Sequence, residues 1–369
     1  QAESAYALMM EGSTPYIAMV ITYPSDRAHP LPRTIVVGTA QTARPVTLGI
    51  IGAGNHVRDM LLPPLQSMSN VAIRGICTAS GLTAKTLATK ITAAYCTSDS
   101  RSILDDPAIN TILIGTRHDS HAALTVQALR AGKHVFVEKP LCLTEEELQD
   151  IRSTYEKQAA EGLHLMVGFN RRFSPHAKEA RTFFSSRSNP LVMLYRINAG
   201  RIPADHWVQD PDVGGGRVIG EVCHFVDYMH ALCASPPTSV FASRVGRHSS
   251  GITEDQCSLS LTFGDGSIGT IIYTAEGSSA LQKEHFEAHA DGMSLVMSDF
   301  METRTYHNGK SALFKTAKRD KGFAQEMAQF VQAIEQGLPP VIPFEQIDAV
   351  TCACLLAVRS LSSGVAYPL

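Results

Sequence analysis

The chain has 369 residues, 44% hydrophobic and 18% charged, with 32 Lys and Arg against 35 Asp and Glu for a formal net charge of -3. That balance excludes a disordered chain and gives no electrostatic ground for a nucleic-acid or anionic-membrane partner, leaving a small molecule as the expected ligand. The length favours two domains with a cleft, and no apolar run reaches the roughly 20 residues of a membrane span; the longest, 349–358, reads as a buried helix.

Residues 1–11 read as a short helix and 16–23 as a strand, closed by Pro24 and followed by Pro30, Pro32 and Pro45 at the spacing of a linker. Residues 1–45 are therefore expected to be an appendage and linker. No basic segment followed by a small-residue cleavage site marks a signal peptide, and the missing initiator Met points to processing or trimming ahead of Gln1. From residue 46 the pattern becomes strand, helix, strand: an apolar strand at 46–51, a helix at 58–68 and a strand at 71–77. The rhythm repeats through a helix at 83–91, a short strand near Ala94, a strand at 111–115, a helix at 120–131 and a strand at 133–137. Such alternation predicts a parallel, doubly wound sheet over 46–165.

Thr144, with Glu147 three residues on, forms a capping-box signature for a helix to about Ala160, and 163–168 reads as another strand. Beyond it, alternating segments at 191–197, 238–245, 256–263 and 267–274 predict a C-terminal α+β domain over 166–369 with a largely antiparallel sheet. A helix at 221–233 follows the glycine run 214–216. The eight cysteines are scattered rather than set at framework spacing, so reduced thiols and a cytoplasmic location are expected. Cys352 and Cys354 lie two apart, on different faces of a helix, with no Cys or His cluster beside them; no metal site is predicted.

Three constellations carry chemistry. Gly52-Ala53-Gly54-Asn55-His56-Val57 lies between a strand and a helix, where glycines allow a tight turn and close approach of a pyrophosphate to helix N–H groups. The third glycine of the usual fingerprint is replaced by Val57, and no acidic residue stands about 20 positions on to hold a ribose 2′-hydroxyl. Thr78 and Ser80 at the next strand end, with Lys85 beyond, would suit a 2′-phosphate, so NAD and NADP both stay open. Glu138-Lys139-Pro140 closes the strand at 133–137, at the sheet edge where ligands bind, and a lysine there can serve a reacting oxygen. On the helix after the glycine run, Glu221 and His224 are three apart, as are His224 and Asp227, so each pair shares a face suited to acid/base work.

These pieces come in a recognisable order. Gly52-Ala53-Gly54, Thr116-Arg117-His118-Asp119-Ser120-His121, Ala131-Gly132-Lys133-His134-Val135 running into Glu138-Lys139-Pro140, Gly168-Phe169-Asn170-Arg171-Arg172-Phe173, and the glycine run with His224 and Asp227 together resemble the glucose-fructose oxidoreductase, inositol dehydrogenase and rhizopine-catabolism (Gfo/Idh/MocA) family, over about 46–369. The resemblance implies a Rossmann dinucleotide-binding domain over 46–165 and hydride transfer at a sugar carbon, with Lys139 and His224 at the catalytic centre and an open C-terminal sheet that joins copies into oligomers. Where that family often has Asp four residues before the histidine, this chain has Gly220; either Glu221 beside it takes the role or that substrate contact is absent. The segments Asn198-Ala199-Gly200, His206-Trp207 and 220–225 resemble a branch fused behind a zinc-type alcohol dehydrogenase-like domain in polysaccharide gene clusters, and residues 1–26 resemble that domain's last helix and strand.

The resulting expectation is an NAD- or NADP-dependent oxidoreductase acting on a sugar, nucleotide sugar or polyol. Gly52, Gly54, Asn55, His56, Thr78, Ser80, Thr116, Arg117, His121, Glu138 and Lys139 are assigned to the cofactor. Lys139, His224 and Glu221 are assigned to catalysis, and Arg171, Arg172, Asn198, His206, Trp207 and Arg217 to the substrate. Two rivals share the scaffold: a redox-neutral lyase or glycosidase that oxidises its substrate transiently, and a non-catalytic sensor. Lys139 and His224 together disfavour the second.

Overall fold

The computed structural model describes residues 2–11, 18, 20, 33–38, 44–158, 161–245 and 255–369. They belong to two units, Gln1–Arg33 and Thr34–Leu369. Among the described residues the first unit contributes one helix, α1 (Ala2–Glu11). Of the strand expected over 16–23, all but Ala18 and Val20 lies outside the described residues, as do Pro24, Pro30 and Pro32.

The second unit opens with a short strand inside the segment expected to be linker, β1 (Thr34–Val36). Next come β2 (Val46–Ile51), β3 (Val71–Cys77), β4 (Tyr95–Thr97), β5 (Thr111–Ile114), β6 (His134–Val137) and β7 (Leu165–Val167). Among the described residues these form one sheet in the order β1-β4-β3-β2-β5-β6-β7. β2 to β7 are parallel, and β1 pairs antiparallel with β4 at the edge. Every residue of β2 and β5 is buried, which is why both read as continuous apolar runs rather than alternating ones. The strand order reverses between β2 and β5, so their carboxyl ends flank the crevice where open α/β sheets receive ligands.

The helix after β2 is irregular, with a π-turn at Val57–Leu61 running into α2 (Leu62–Gln66). Pro63 and Pro64 have no N–H to give back to the preceding turn, and the ladder widens where they enter. The other crossovers are α3 (Gly81–Lys90), α4 (Arg101–Leu104), α5 (His121–Arg130) and α6 (Glu145–Gln158). The capping box before α6 forms: Thr144 Oγ1 accepts from the Glu147 N–H at 3.1 Å, and Glu147 Oε2 accepts from the Leu143 and Thr144 N–H groups.

The C-terminal part adds α7 (Pro175–Phe183), β8 (Val192–Asn198), α8 (Cys223–Cys233), β9 (Pro237–Arg244), β10 (Gln256–Phe263), β11 (Ile268–Thr274), β12 (Glu284–Ala290), β13 (Met293–Ser298), β14 (Glu302–His307), β15 (Lys310–Lys315), α9 (Phe323–Gln336), α10 (Phe344–Ser363) and β16 (Tyr367–Pro368). The second sheet runs β15-β14-β13-β12-β8-β11-β10-β9-β16 and is antiparallel except where β8 meets β11. Its strands alternate: Met193, Tyr195 and Ile197 are buried while Val192 faces out. On the inner face the Tyr195 ring packs against Phe225 and Tyr228 of α8 and Phe286 of β12, with centroids 4.7, 5.6 and 5.3 Å away. This aromatic core fixes α8, and with it His224, against the sheet. The apolar run 349–358 lies within α10, which packs on α8 and β9.

Candidate active site

The two loops at the switch point pack glycine against glycine. Gly52 has φ +87°, and a Cβ there would stand 2.5 Å from the Gly115 carbonyl carbon. A Cβ on Gly115 would come within 2.2 Å of Val57 Cγ2 and 3.2 Å of the Gly52 oxygen. The missing third glycine is thereby accounted for: Val57 fits because Gly115, just past the end of β5, gives up the space. A Cβ on Gly54 meets nothing within 4 Å, so the backbone there is open to a ligand. These features fit a dinucleotide, whose pyrophosphate would lie against the 52–57 turn beside Thr116.

The end of β6 is clamped between these loops. Glu138 is buried and its Oε1 is 3.1 Å from His56 Nε2. Burial works to raise the pKa of that carboxyl, but the His56 hydrogen bond and charge, with the charge of Lys139, hold it below its ordinary value. His121 is fully buried; its Nδ1 donates to the Pro140 carbonyl at 2.7 Å, and its Nε2 lies 3.2 Å from the Thr116 carbonyl. It is a strut between the β5 and β6 loops. Lys139 reaches across to donate to the Gly220 carbonyl at 3.0 Å.

The opposite wall comes from the start of the α8 region. A π-turn at Val218–Val222 precedes α8. The expected Glu221–His224 and His224–Asp227 pairs do not form. Glu221 Oε2 accepts from Arg217 Nη2 and the Tyr273 hydroxyl at 2.7 and 2.6 Å, and its Oε1 accepts from Lys283 at 2.7 Å. Burial would raise its pKa, but Lys283 and Arg217 bring it down to about 2. Asp227 accepts a bidentate pair of bonds from Arg172, Nε at 3.0 Å and Nη2. His224 is left with a buried Nδ1 that has no partner among the described residues. Burial, then the charges of Arg171 and Lys139, push its pKa well below the ordinary 6.5, so the imidazole is neutral. The ring thus stays unprotonated, where an exposed imidazole would titrate near neutrality.

Gly54, His56, Thr116, His118, Lys139, Trp207, Arg217, Glu221, His224 and Lys283 line one cavity of about 420 Å³. The cavity joins the glycine turn to the Lys139–His224 pair.

Residues 46–169 match the family model described as "Oxidoreductase family, NAD-binding Rossmann fold", and residues 191–294 match the model of the GFO/IDH/MocA C-terminal domain. The chain belongs to the GFO/IDH/MocA oxidoreductase family. It is 28% identical over 230 residues to the uncharacterized oxidoreductase YrbE of Bacillus subtilis (61% of this chain, 66% of that one). It is 26% identical over 235 residues to the levoglucosan dehydrogenase of Pseudarthrobacter phenanthrenivorans (55% and 58%), and 24% identical over 264 residues to the myo-inositol 2-dehydrogenase of Thermotoga maritima (67% and 76%). The matching stretches span less than two thirds of the first two relatives' own length. The fold aligns with a levoglucosan dehydrogenase solved with NADH and levoglucosan at a TM-score of 0.76 and 20% identity, covering 88% of this chain and 99% of that one.

Of the residues assigned from sequence, this GFO/IDH/MocA chain gathers Gly54, His56, Thr116, His121, Glu138, Lys139, Arg171, Trp207, Arg217, Glu221 and His224 on one cavity. Gly52 sits behind the turn. Asn55 is exposed and accepts from Arg58. The Thr78 hydroxyl donates to the Ser80 carbonyl at 2.5 Å, a contact within their own turn. Arg172 is not at the cavity; it is consumed by Asp227 and by Gln346 at 2.9 Å in the core. Asn198 donates to the Ser278 and Leu281 carbonyls beside a neighbouring pocket, and His206 and Arg117 line a third, outside Trp207. Arg171 reaches the cavity, yet its guanidinium is held bidentate by fully buried Glu284 at 2.9 Å. Sequence reasoning missed Lys283 and Tyr273, which clamp Glu221, because neither lies in a motif. His118 was visible within the loop motif but received no role.

Proposed function

We propose that this chain transfers a hydride between a nicotinamide dinucleotide, NAD or NADP, and a carbinol carbon of a sugar, nucleotide sugar or polyol. The observation that carries the reading is the convergence, on one cavity, of the open Gly54 turn with Lys139 and a neutral, buried His224. The dinucleotide, when bound, supplies the hydride acceptor. An alcohol losing hydride must also lose its hydroxyl proton, and the unprotonated imidazole of His224 on the same cavity offers a lone pair for it. Lys139 is steered by the Gly220 carbonyl toward the same space, and its charge favours the oxygen as negative character develops there. Glu221 is a positioning group: three donors fix its carboxylate, and it in turn holds Arg217 and Lys283 at the substrate wall.

Hydroxylated rings are the substrates named for relatives, levoglucosan and inositol, which supports a ring polyol here. Exposed Val192, Phe241, Ile268 and Ile272 on the outer face of the second sheet support its use as the face that joins copies. Among the described residues no helix is long and apolar enough to cross a membrane, and the eight cysteines are unpaired, which supports a reducing compartment.

The test is to titrate the protein with NADH and NADPH by fluorescence, then follow nicotinamide absorbance with levoglucosan, myo-inositol and UDP-sugars. Lys139→Met and His224→Ala should keep dinucleotide affinity and lose roughly two or more decades in turnover. Product formed without net change in nicotinamide absorbance would move the reading to redox-neutral chemistry. Near-normal turnover in either variant would remove that residue from the reaction.

A further inference from the structure

The cavity is rich in donors and short of acceptors. Lys139, Arg217 and Lys283 can only donate, Glu138 Oε1 is engaged by His56, and Glu221 already accepts from Arg217, Tyr273 and Lys283. His118 is different. Its Nδ1 lies 2.7 Å from the Gly214 carbonyl, and a carbonyl can only accept, so Nδ1 carries the hydrogen and Nε2 carries a lone pair.

The tautomer is enforced by neighbouring structure. Gly214 must be glycine, since a Cβ there would stand 2.3 Å from the Val208 carbonyl oxygen. Its N–H and that of Gly215 donate to the Asp210 carbonyl at 2.8 and 3.1 Å, and Asp119 N–H donates to the Val213 carbonyl at 3.1 Å, docking the His118 loop on the glycine run. The ring meets Trp207 edge to face at 4.8 Å. A side chain on Gly220 would come within 3.1 Å of His118 Cε1, so the absence of one leaves the ring in place. Burial and the charge of Lys139 lower its pKa to about 3, so the ring stays neutral.

Building on the alcohol-oxidation reading, we propose that His118 is a specificity-determining residue whose Nε2 accepts a hydrogen bond from a second substrate hydroxyl, selecting a polyol over a mono-alcohol. Lys139 and His224 serve the hydroxyl that reacts; His118 reads its neighbour. Among the described residues no other group bonds His118 Nε2, and the ring lines the same cavity.

The experiment uses the full chain with ¹⁵N-labelled histidine, loaded with NADH. The His118 resonances should report the Nδ1–H tautomer from pH 6 to 8, and Nε2 should shift when myo-inositol, levoglucosan or UDP-glucose is added. An Nε2–H tautomer, a cationic ring, or an Nε2 signal unmoved by all three at the limit of solubility overturns the proposal. In turnover, His118→Phe should lose roughly tenfold or more of any preference for trans-1,2-cyclohexanediol over cyclohexanol, chiefly in KM, with NADH affinity unchanged. A preference that survives in His118→Phe also overturns it. If Nε2 shifts but no alcohol changes nicotinamide absorbance, the dehydrogenase reading fails and the His118 contact stands.

Discussion

Replacing Gly115 by alanine tests whether this residue, just past the end of β5, takes over from the absent third glycine of the fingerprint. The new methyl would stand 2.2 Å from Val57 Cγ2, against a normal carbon–carbon separation of about 3.5–4.0 Å. One of the two must therefore move by more than about 1 Å. There is little slack, because Val57 is 1% exposed and the Gly52 oxygen lies 3.2 Å behind the same methyl. Overpacking of this kind costs roughly 1–3 kcal/mol. Val57→Ala alone removes two buried methyl groups and should cost about 1.5 kcal/mol. Combined, the two changes relieve each other, so the double variant should be more stable than the sum of the singles by about 1 kcal/mol or more. Urea unfolding of the four proteins measures this coupling, and NADH fluorescence shows whether the displaced 52–57 turn loses the dinucleotide. Strictly additive costs, or a Gly115→Ala variant that unfolds at the wild-type urea concentration, would refute the packing argument.

Three further outcomes are expected. Gly54→Leu should fold normally, since a Cβ there meets nothing within 4 Å, and should lose dinucleotide binding; retained affinity by NADH titration would remove the cofactor from this turn. Glu326 is fully buried with no partner for either carboxylate oxygen among the described residues, and burial, with the charges of Glu138 and Asp227, raises its pKa well above 4.5. Glu326→Leu should therefore stabilise the fold, by about 1–3 kcal/mol in urea unfolding; a loss of stability would reveal a bond that this carboxyl makes. Burial lowers His118 to about 3 and His134 and His230 to about 4, from 6.5 in each case. The unfolded chain then binds more protons than the folded one between about pH 4 and 6.5, so stability is fully present above that window and falls as pH drops through it. Unfolding midpoints that hold steady from pH 7 to pH 5 would contradict this.

Local patterning carried much of the architecture. The fully buried runs at β2 and β5 announce a parallel sheet, alternation at β8 to β11 announces a largely antiparallel one, and Thr144 with Glu147 marks the start of α6, because each signal depends on neighbours along the chain. Motif order likewise located Lys139, His224 and the glycine turn. Helical spacing also put Glu221, His224 and Asp227 on shared faces, yet it could not say what those faces would meet. Arg217, Tyr273 and Lys283 approach Glu221, and Arg172 approaches Asp227, from elements 4 to 62 positions away in the chain. A buried carboxylate takes whichever cation the fold brings within bonding distance, so only the tertiary structure could decide that, among the described residues, neither carboxylate bonds His224 and its Nδ1 has no partner. The same holds for Val57, tolerated because Gly115 lies across from it, and for His118, whose single available lone pair is set by a glycine carbonyl 96 residues on.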